Sequence, residues 1–153
     1  MKTRYQFRFY PNHQQRQGLA RLFGCVRVVW NDALAICKGS EQLPSYNQLS
    51  SLLTQSKQTE ERVWLTEVSS VPLQQSVRNL NLAYQNFFNS INGKRKGKKL
   101  NPPRFKSRKS KQTATFTNVG FSIKGEKVYL AKIGYLEVVW SRPLPSEPSS
   151  VTV

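Results

Sequence analysis

The sequence predicts an α+β fold, with a bundle of three to four helices inserted after the first strand of a small, incomplete β-barrel. Three observations carry this. Residues 1–10 alternate polar and apolar side chains, residues 11–93 carry apolar stripes at three- and four-residue steps, and short alternating runs parted by glycines return after residue 112. The chain therefore divides into a first strand (1–10), a helical part (11–93), a basic strap (94–111) and the remaining barrel strands (112–153).

In the first strand Tyr5, Phe7 and Phe9 fall on one face, with Arg4, Gln6 and Arg8 on the other. Pro11 stops it, and Asn12 suits a helix N-cap because its short side chain can accept from a free backbone N–H. From there to about Lys38 one helical face carries Leu19, Leu22, Phe23, Val26, Trp30, Ala33, Leu34 and Cys37. Gly24 interrupts the stripe at a cost of about 1 kcal/mol relative to alanine, which predicts a kink, a turn or a close helix approach. A helix–turn–helix is one reading. A single kinked core helix is preferred, because the stripe keeps its phase through Gly24.

A shorter helix is expected over residues 46–57, with Leu49, Leu52 and Leu53 inward and Tyr46, Asn47, Ser50, Ser51 and Thr54 on a neutral polar face. Trp64 and Leu65 read as a core anchor. The strongest helix begins near Ser70, with Pro72 in the first turn, where its missing N–H costs nothing. Its seam is Leu73, Val77, Leu80, Tyr84, Phe87 and Ile91, and Gly93 ends it. Strands are expected at 113–118, 127–130 and 135–140, with Gly120, Gly125 and Gly134 as turn residues. The closing Val151-Thr152-Val153 reads as a strand begun and cut off, with no partner.

Twenty-four Lys and Arg against eight Asp and Glu give a net charge of +16 on 153 residues. A compact domain with that charge repels itself, so a polyanion is the expected partner. The charge is concentrated. No acid occurs between Glu67 and Glu126, and that span carries +12. Ten of its cations lie in the strap: Lys94, Arg95, Lys96, Lys98, Lys99, Arg104, Lys106, Arg108, Lys109 and Lys111. Arg78 and Lys124 are the others. Asn101-Pro102-Pro103 blocks helix in mid-strap and keeps it extended. No apolar run approaches the 18 residues of a membrane span, and the start lacks a signal-peptide core, so no membrane partner and a cytoplasmic location are expected.

Catalysis is not expected from this chain by itself. Metal-assisted phosphodiester cleavage needs two or three converging carboxylates, and the eight acids (Asp32, Glu41, Glu60, Glu61, Glu67, Glu126, Glu137 and Glu147) are scattered. With His13 as its one histidine, and Cys25 and Cys37 twelve apart, the chain cannot complete a four-ligand zinc site. The two cysteines read as buried free thiols. No phosphate-cradling or dinucleotide glycine motif occurs, so neither a metal nor a cofactor is expected.

Binding chemistry is plentiful. The strap, with Arg78, offers phosphate contacts that ignore sequence and weaken with salt. Phe105 and Phe116 could stack on bases, although core packing is the better reading for both. Polar groups able to meet base edges are the face around Tyr46 and Ser50, the pair Gln74-Gln75, and Thr117-Asn118.

An ordered set of motifs runs through the chain. Tyr10-Pro11-Asn12 is followed by Gly24-Cys-Val-Arg27-Val-Val-Trp30-Asn31, Trp64-Leu65, Leu73-Gln74 and Asn86-Phe87-Phe88. Pro103-Arg104-Phe105-Lys106 and Phe116-Thr117-Asn118 complete it. This set resembles the N-terminal part of the TnpB (OrfB) proteins of bacterial insertion sequences, which are RNA-guided DNA endonucleases, and the stretches around Arg27 and Arg104 are its most specific parts. The resemblance implies that the strands form an oligonucleotide-binding-like wedge barrel interrupted by a helical recognition lobe. It implies DNA and RNA partners, namely a guide RNA and a short target-adjacent DNA motif. It also implies that Tyr46, Ser50, Gln74, Thr117 and Asn118 read that motif. Ser70 stands where many relatives carry a lysine, which alters the motif expected. The family's RuvC-like nuclease, with three catalytic acids and a CxxC zinc element, would lie beyond Val153. The competing readings are a stand-alone basic RNA-binding structural protein with a complete barrel, and a nuclease-dead DNA-binding regulator.

Overall fold

A helix of 26 residues, α1 (His13–Lys38), forms the backbone of the core in the computed structural model, which describes residues 3–153. Asn12 caps it as expected. Asn12 Oδ1 accepts from the Gln15 backbone N–H at 2.8 Å, and Gln15 Oε1 accepts from the Asn12 N–H at 2.9 Å. The Gln15 amide also donates to the Tyr135 carbonyl, tying the helix start to the sheet. The helix runs unbroken through Gly24, which removes the helix–turn–helix alternative. Close approach is not the reason for that glycine either, since a Cβ there would meet nothing within 4 Å.

Helix α2 (Tyr46–Ser56) starts on a Ser45–Gln48 capping box and buries Leu49 and Leu53. Leu52, expected inward, is 39% exposed. It lies about 80° around the helix from the bisector of Leu49 and Leu53, outside the narrow stripe that packs. A 3₁₀ turn, Val63–Glu67, delivers Leu65 to the core while Trp64 stays at its edge. Just before it, Arg62 grips both carboxylate oxygens of Asp32 on α1 at 2.8 and 3.3 Å.

Helix α3 (Ser70–Ile91) makes the largest helix–helix interface, against α1. Ser76 Oγ donates to the Val26 carbonyl at 3.2 Å, and the later turns of both helices reach one segment, Trp30 and Asn31 of α1 bonding Arg104 and Lys106 and Ser90 of α3 bonding Leu100, so the two helices run in the same direction. The seam is fully buried at Leu73, Val77 and Leu80 and then fades, leaving Ile91 62% exposed. The expectation that it stays buried fails because α1 ends at Lys38 and the last turns of α3 outrun their cover.

The strands form two separate antiparallel sheets. The larger has the order β1 (Arg8–Tyr10), β5 (Gly134–Val139), β4 (Lys127–Leu130), β3 (Phe121–Lys124), and the smaller joins β2 (Thr115–Thr117) to β6 (Ser150–Thr152). The helical block does sit between the first strand and the rest. The sheets are not closed into a barrel, in keeping with the incomplete one expected, and β1 and β3 remain the two edges of the larger sheet. Of the first strand, Met1 and Lys2 lie outside the described residues. Tyr5, Phe7 and Phe9 alternate in burial with Arg4, Gln6 and Arg8, as expected, but only Arg8–Tyr10 pairs.

Strand β3 was not expected. Its four residues lie between Gly120 and Gly125, and that short interval reads as turn. Gly125, at φ +61°, occupies the first position of the two-residue turn between Lys124 and Lys127, where a type II′ hairpin needs glycine. The closing segment is also paired, contrary to expectation: Phe116 faces Val151, and Ala114 and Val153 exchange backbone hydrogen bonds of 3.0 and 2.9 Å. Phe116, Val128, Leu130 and Leu136 complete the core that the helices begin. Gly120 lets the turn after β2 seat on α3, since a Cβ there would lie 3.0 Å from Val71 and 3.0 Å from Phe116.

Candidate nucleic-acid interface

The strap is latched onto the helical core at both ends. Where α3 ends, the Lys94 and Arg95 N–H groups both donate to the Asn89 carbonyl, and the Leu100 N–H donates to Ser90 Oγ at 2.9 Å. Beyond the prolines, the Trp30 indole N–H donates to the Arg104 carbonyl at 2.9 Å. Asn31 then takes the whole Lys106 residue. Its Oδ1 accepts from the Lys106 N–H at 2.8 Å and its Nδ2 donates to the Lys106 carbonyl at 3.0 Å. An extended segment that prolines keep out of helix, and that has no strand beside it, is thereby given the partners its backbone requires.

Held this way, the strap shows its charge to solvent. Lys94, Arg95, Lys96, Lys98, Lys99, Arg104, Arg108, Lys109 and Lys111 are exposed. None is ion-paired: among the described residues the salt bridges are Arg21–Glu67 and Arg62–Asp32, both elsewhere. Lys106 differs. It is half-buried, its ammonium lies 4.1 Å from the centre of the Trp30 ring, and burial pushes its pKa down. Phe105 is 52% exposed with the Lys38 ammonium over its ring, so it is available at the surface. Phe116 is fully buried, and a stacking role for it is excluded.

A second cluster forms where α2 meets α3. The Tyr46 hydroxyl (3.3 Å) and the Ser50 hydroxyl (2.6 Å) both donate to Gln74 Oε1, and the Arg78 guanidinium stacks over the Tyr46 ring at 4.4 Å. Both lone pairs of the Gln74 carbonyl are thus taken, and its NH₂ group makes no hydrogen bond to any described residue. The neighbouring Gln75 is engaged differently, donating to Asn79 on its own helix. Thr117 and Asn118 share no hydrogen bond with this cluster. Thr117 is half-buried at the end of β2, and Asn118 is exposed in the turn that seats, through Gly120, on Val71 at the start of α3.

Two contributors escaped sequence reading. Asn31 looks like a polar residue beside an apolar stripe, and nothing local marks it as a clamp for a segment 75 residues away. Arg27 is half-buried, yet makes no ion pair or side-chain hydrogen bond among the described residues. Its signal was available, as a cation flanking the buried stripe with no acid within a helical turn.

Among the described residues no group of three or more His, Cys, Asp or Glu could hold a metal ion, and no helix is long and apolar enough to cross a membrane. Burial raises the thiol pKa of Cys25 to about 11, with Glu67 adding to the rise and Arg21 opposing it, and burial likewise raises that of Cys37. Both are free and buried.

Fold and surface together define a class: a cationic α+β module whose strap is clamped along a helical core beside an ordered polar cluster. A family model described as a helix-turn-helix domain of OrfB-type proteins matches residues 1–40, which here hold one strand and one continuous helix. The chain is 44% identical over its whole length to a Streptomyces pristinaespiralis protein named "Putative RNA-guided DNA endonuclease", of which it spans 38%. It is 31% identical over 97% of its length to InsQ of Escherichia coli K12, which bears the same name and of which it spans 36%. It is also 34% identical, over 52% of its length, to the virulence protein VsdF of Salmonella dublin, of which it spans 76%. The chain belongs to the TnpB/OrfB family.

Proposed function

We propose that this chain is the nucleic-acid-binding portion of a TnpB/OrfB-type protein, gripping a guide RNA and a short target-adjacent DNA motif. The observation that carries the reading is the acid-free strap. Nine of its ten cations are exposed and unpaired, and hydrogen bonds with the side chains of Asn31, Trp30 and Ser90 hold its backbone in place. Phosphate contacts from these residues and from Arg78 supply affinity without sequence preference. Sequence preference comes from the second cluster. Tyr46 and Ser50 fix the orientation of Gln74 and leave its NH₂ group free as a donor for a base-edge acceptor, and Thr117 and Asn118 add polar groups on the adjoining turn. The chain spans 38% and 36% of the relatives named as endonucleases, and in this reading strand cutting falls to the part of such a protein that it does not span.

The test has two parts. Replacing Lys96, Lys98, Lys99, Arg108 and Lys109 together with glutamine should weaken binding to both duplex DNA and hairpin RNA by about a hundredfold or more at low salt. Selection from a randomised duplex library should enrich one short motif with the wild-type chain. Gln74→Ala should lose that enrichment, each correct base being worth about 1–3 kcal/mol. Equal binding by the five-fold variant would refute the strap as the nucleic-acid surface. An unchanged motif with Gln74→Ala would refute the reading site.

A further inference from the structure

Where the far end of the strap passes over α1, the two border a half-open cavity of about 20 Å³. Arg27 of α1 and Lys106 and Lys111 of the strap line it, together with Ser107 and Ser110 and the apolar floor of Phe23. No carboxylate borders it. The serines form a small turn in which the Ser110 N–H donates to the Ser107 carbonyl and the Ser107 N–H donates to Ser110 Oγ, both at 3.2 Å. Their hydroxyls share one hydrogen bond at 3.2 Å, which leaves one O–H to donate elsewhere.

We infer that Arg27, Lys106, Lys111 and the Ser107–Ser110 turn form a discrete seat for one backbone phosphate of a bound nucleic acid, the cavity receiving one of its non-bridging oxygens. Its volume suits that role, since about one water-sized atom fits in such a space and a whole phosphate does not. Arg27 and Lys111 bring positive charge to a cavity that no carboxylate borders, while the Lys106 ammonium lies over the neighbouring Trp30 ring, and an anion balances that charge. A guanidinium without a protein partner gains short, charge-assisted hydrogen bonds once a phosphate oxygen accepts from it. The seat differs from the rest of the strap in using a residue of α1, held rigid by helix packing rather than carried on an extended segment. It rests on the nucleic-acid reading above, and gives it one fixed point of register.

The experiment uses the full chain and compares duplex DNA with hairpin RNA by fluorescence anisotropy. The variants are Arg27→Gln, Arg27→Lys and Lys111→Gln, with Lys96→Gln as an exposed strap control away from the cavity. Thermal melting checks folding, and because Lys111 is exposed, its variant remains informative if Arg27→Gln is unstable. Arg27→Gln is expected to lose about tenfold or more in affinity, against two- to threefold for Lys96→Gln, with Arg27→Lys intermediate and Lys111→Gln closer to Arg27→Gln. The nucleic acid showing the larger Arg27 penalty is the one whose phosphate occupies the seat. Ethylation of phosphates should reveal one position that blocks the wild type and not Arg27→Gln. Losses in Arg27→Gln and Lys111→Gln no greater than in Lys96→Gln would overturn the seat and leave the strap reading standing. Failure of the wild type to bind either nucleic acid would overturn both.

Discussion

Asn31 holds Lys106 by both halves of its backbone, Oδ1 accepting at 2.8 Å and Nδ2 donating at 3.0 Å, much as a neighbouring strand would. One side chain thus stands in for a missing sheet partner, 75 residues away in sequence. The Trp30 bond to the Arg104 carbonyl lies beside it. The two most specific motifs of the chain, around Arg27 and around Arg104, are therefore opposite sides of one clamp, and the clamp is what turns a run of lysines into a surface.

Asn31→Ala removes both bonds and leaves a half-buried N–H and C=O unsatisfied. It should cost about 1–3 kcal/mol in urea unfolding, and Asn31→Asp should also destabilise, because the oxygen that replaces Nδ2 cannot donate to the Lys106 carbonyl and repels it. Trypsin should cut residues 94–111 of the alanine variant markedly faster than the wild type. Equal cutting rates would show that the strap is held by something else.

The two strap-side phenylalanines should separate cleanly. Phe116 is fully buried, so Phe116→Ala should destabilise by about 3–5 kcal/mol. Phe105 is 52% exposed, so Phe105→Ala should cost under about 1 kcal/mol in stability while reducing affinity for single-stranded nucleic acid. Thermal melts and a binding titration of the same two variants decide the matter.

The glycines of α1 and of the β2–β3 turn should respond with opposite signs. A Cβ at Gly24 meets nothing, so Gly24→Ala should stabilise by up to about 1 kcal/mol. A Cβ at Gly120 lies 3.0 Å from both Val71 and Phe116, so Gly120→Ala should destabilise by about 1–3 kcal/mol. Denaturant midpoints for the pair give the comparison.

Cys25 makes an alkaline prediction. Its native pKa is raised to about 11, chiefly by burial, so the folded state favours the neutral thiol. That contribution to stability is fully present below the ordinary value of 9.0 and is lost as pH rises through about 11. The melting temperature of the wild type should fall over that window more steeply than that of Cys25→Ala. Iodoacetamide should modify Cys25 slowly at pH 8 in the native chain and fast in urea.

Periodicity made the helices legible, since Asn12, the α1 stripe and the start of α3 all follow from local pattern. What it missed depends on distant partners. Nothing within α3 says that α1 stops short of Ile91, and nothing near Phe121 distinguishes a four-residue strand from a turn. Sheet closure is a property of edges that meet or do not meet, which alternation cannot specify. For the site, residue chemistry was enough to pick out Tyr46, Ser50 and Gln74, and the structure joins them. Asn31 was not legible as a site residue, because its significance lies in a strap that returns to it from the other side of the helical part, whereas Arg27 carried a local signal in the absence of any acid within a helical turn.

The central claim is that this surface meets a polyanion through many phosphate contacts, and the slope of log affinity against log salt tests it most directly. For duplex DNA or structured RNA between about 50 and 200 mM salt, a strap engaging six or more phosphates should lose about a thousandfold or more in affinity. An affinity that stays level across that range would contradict the account.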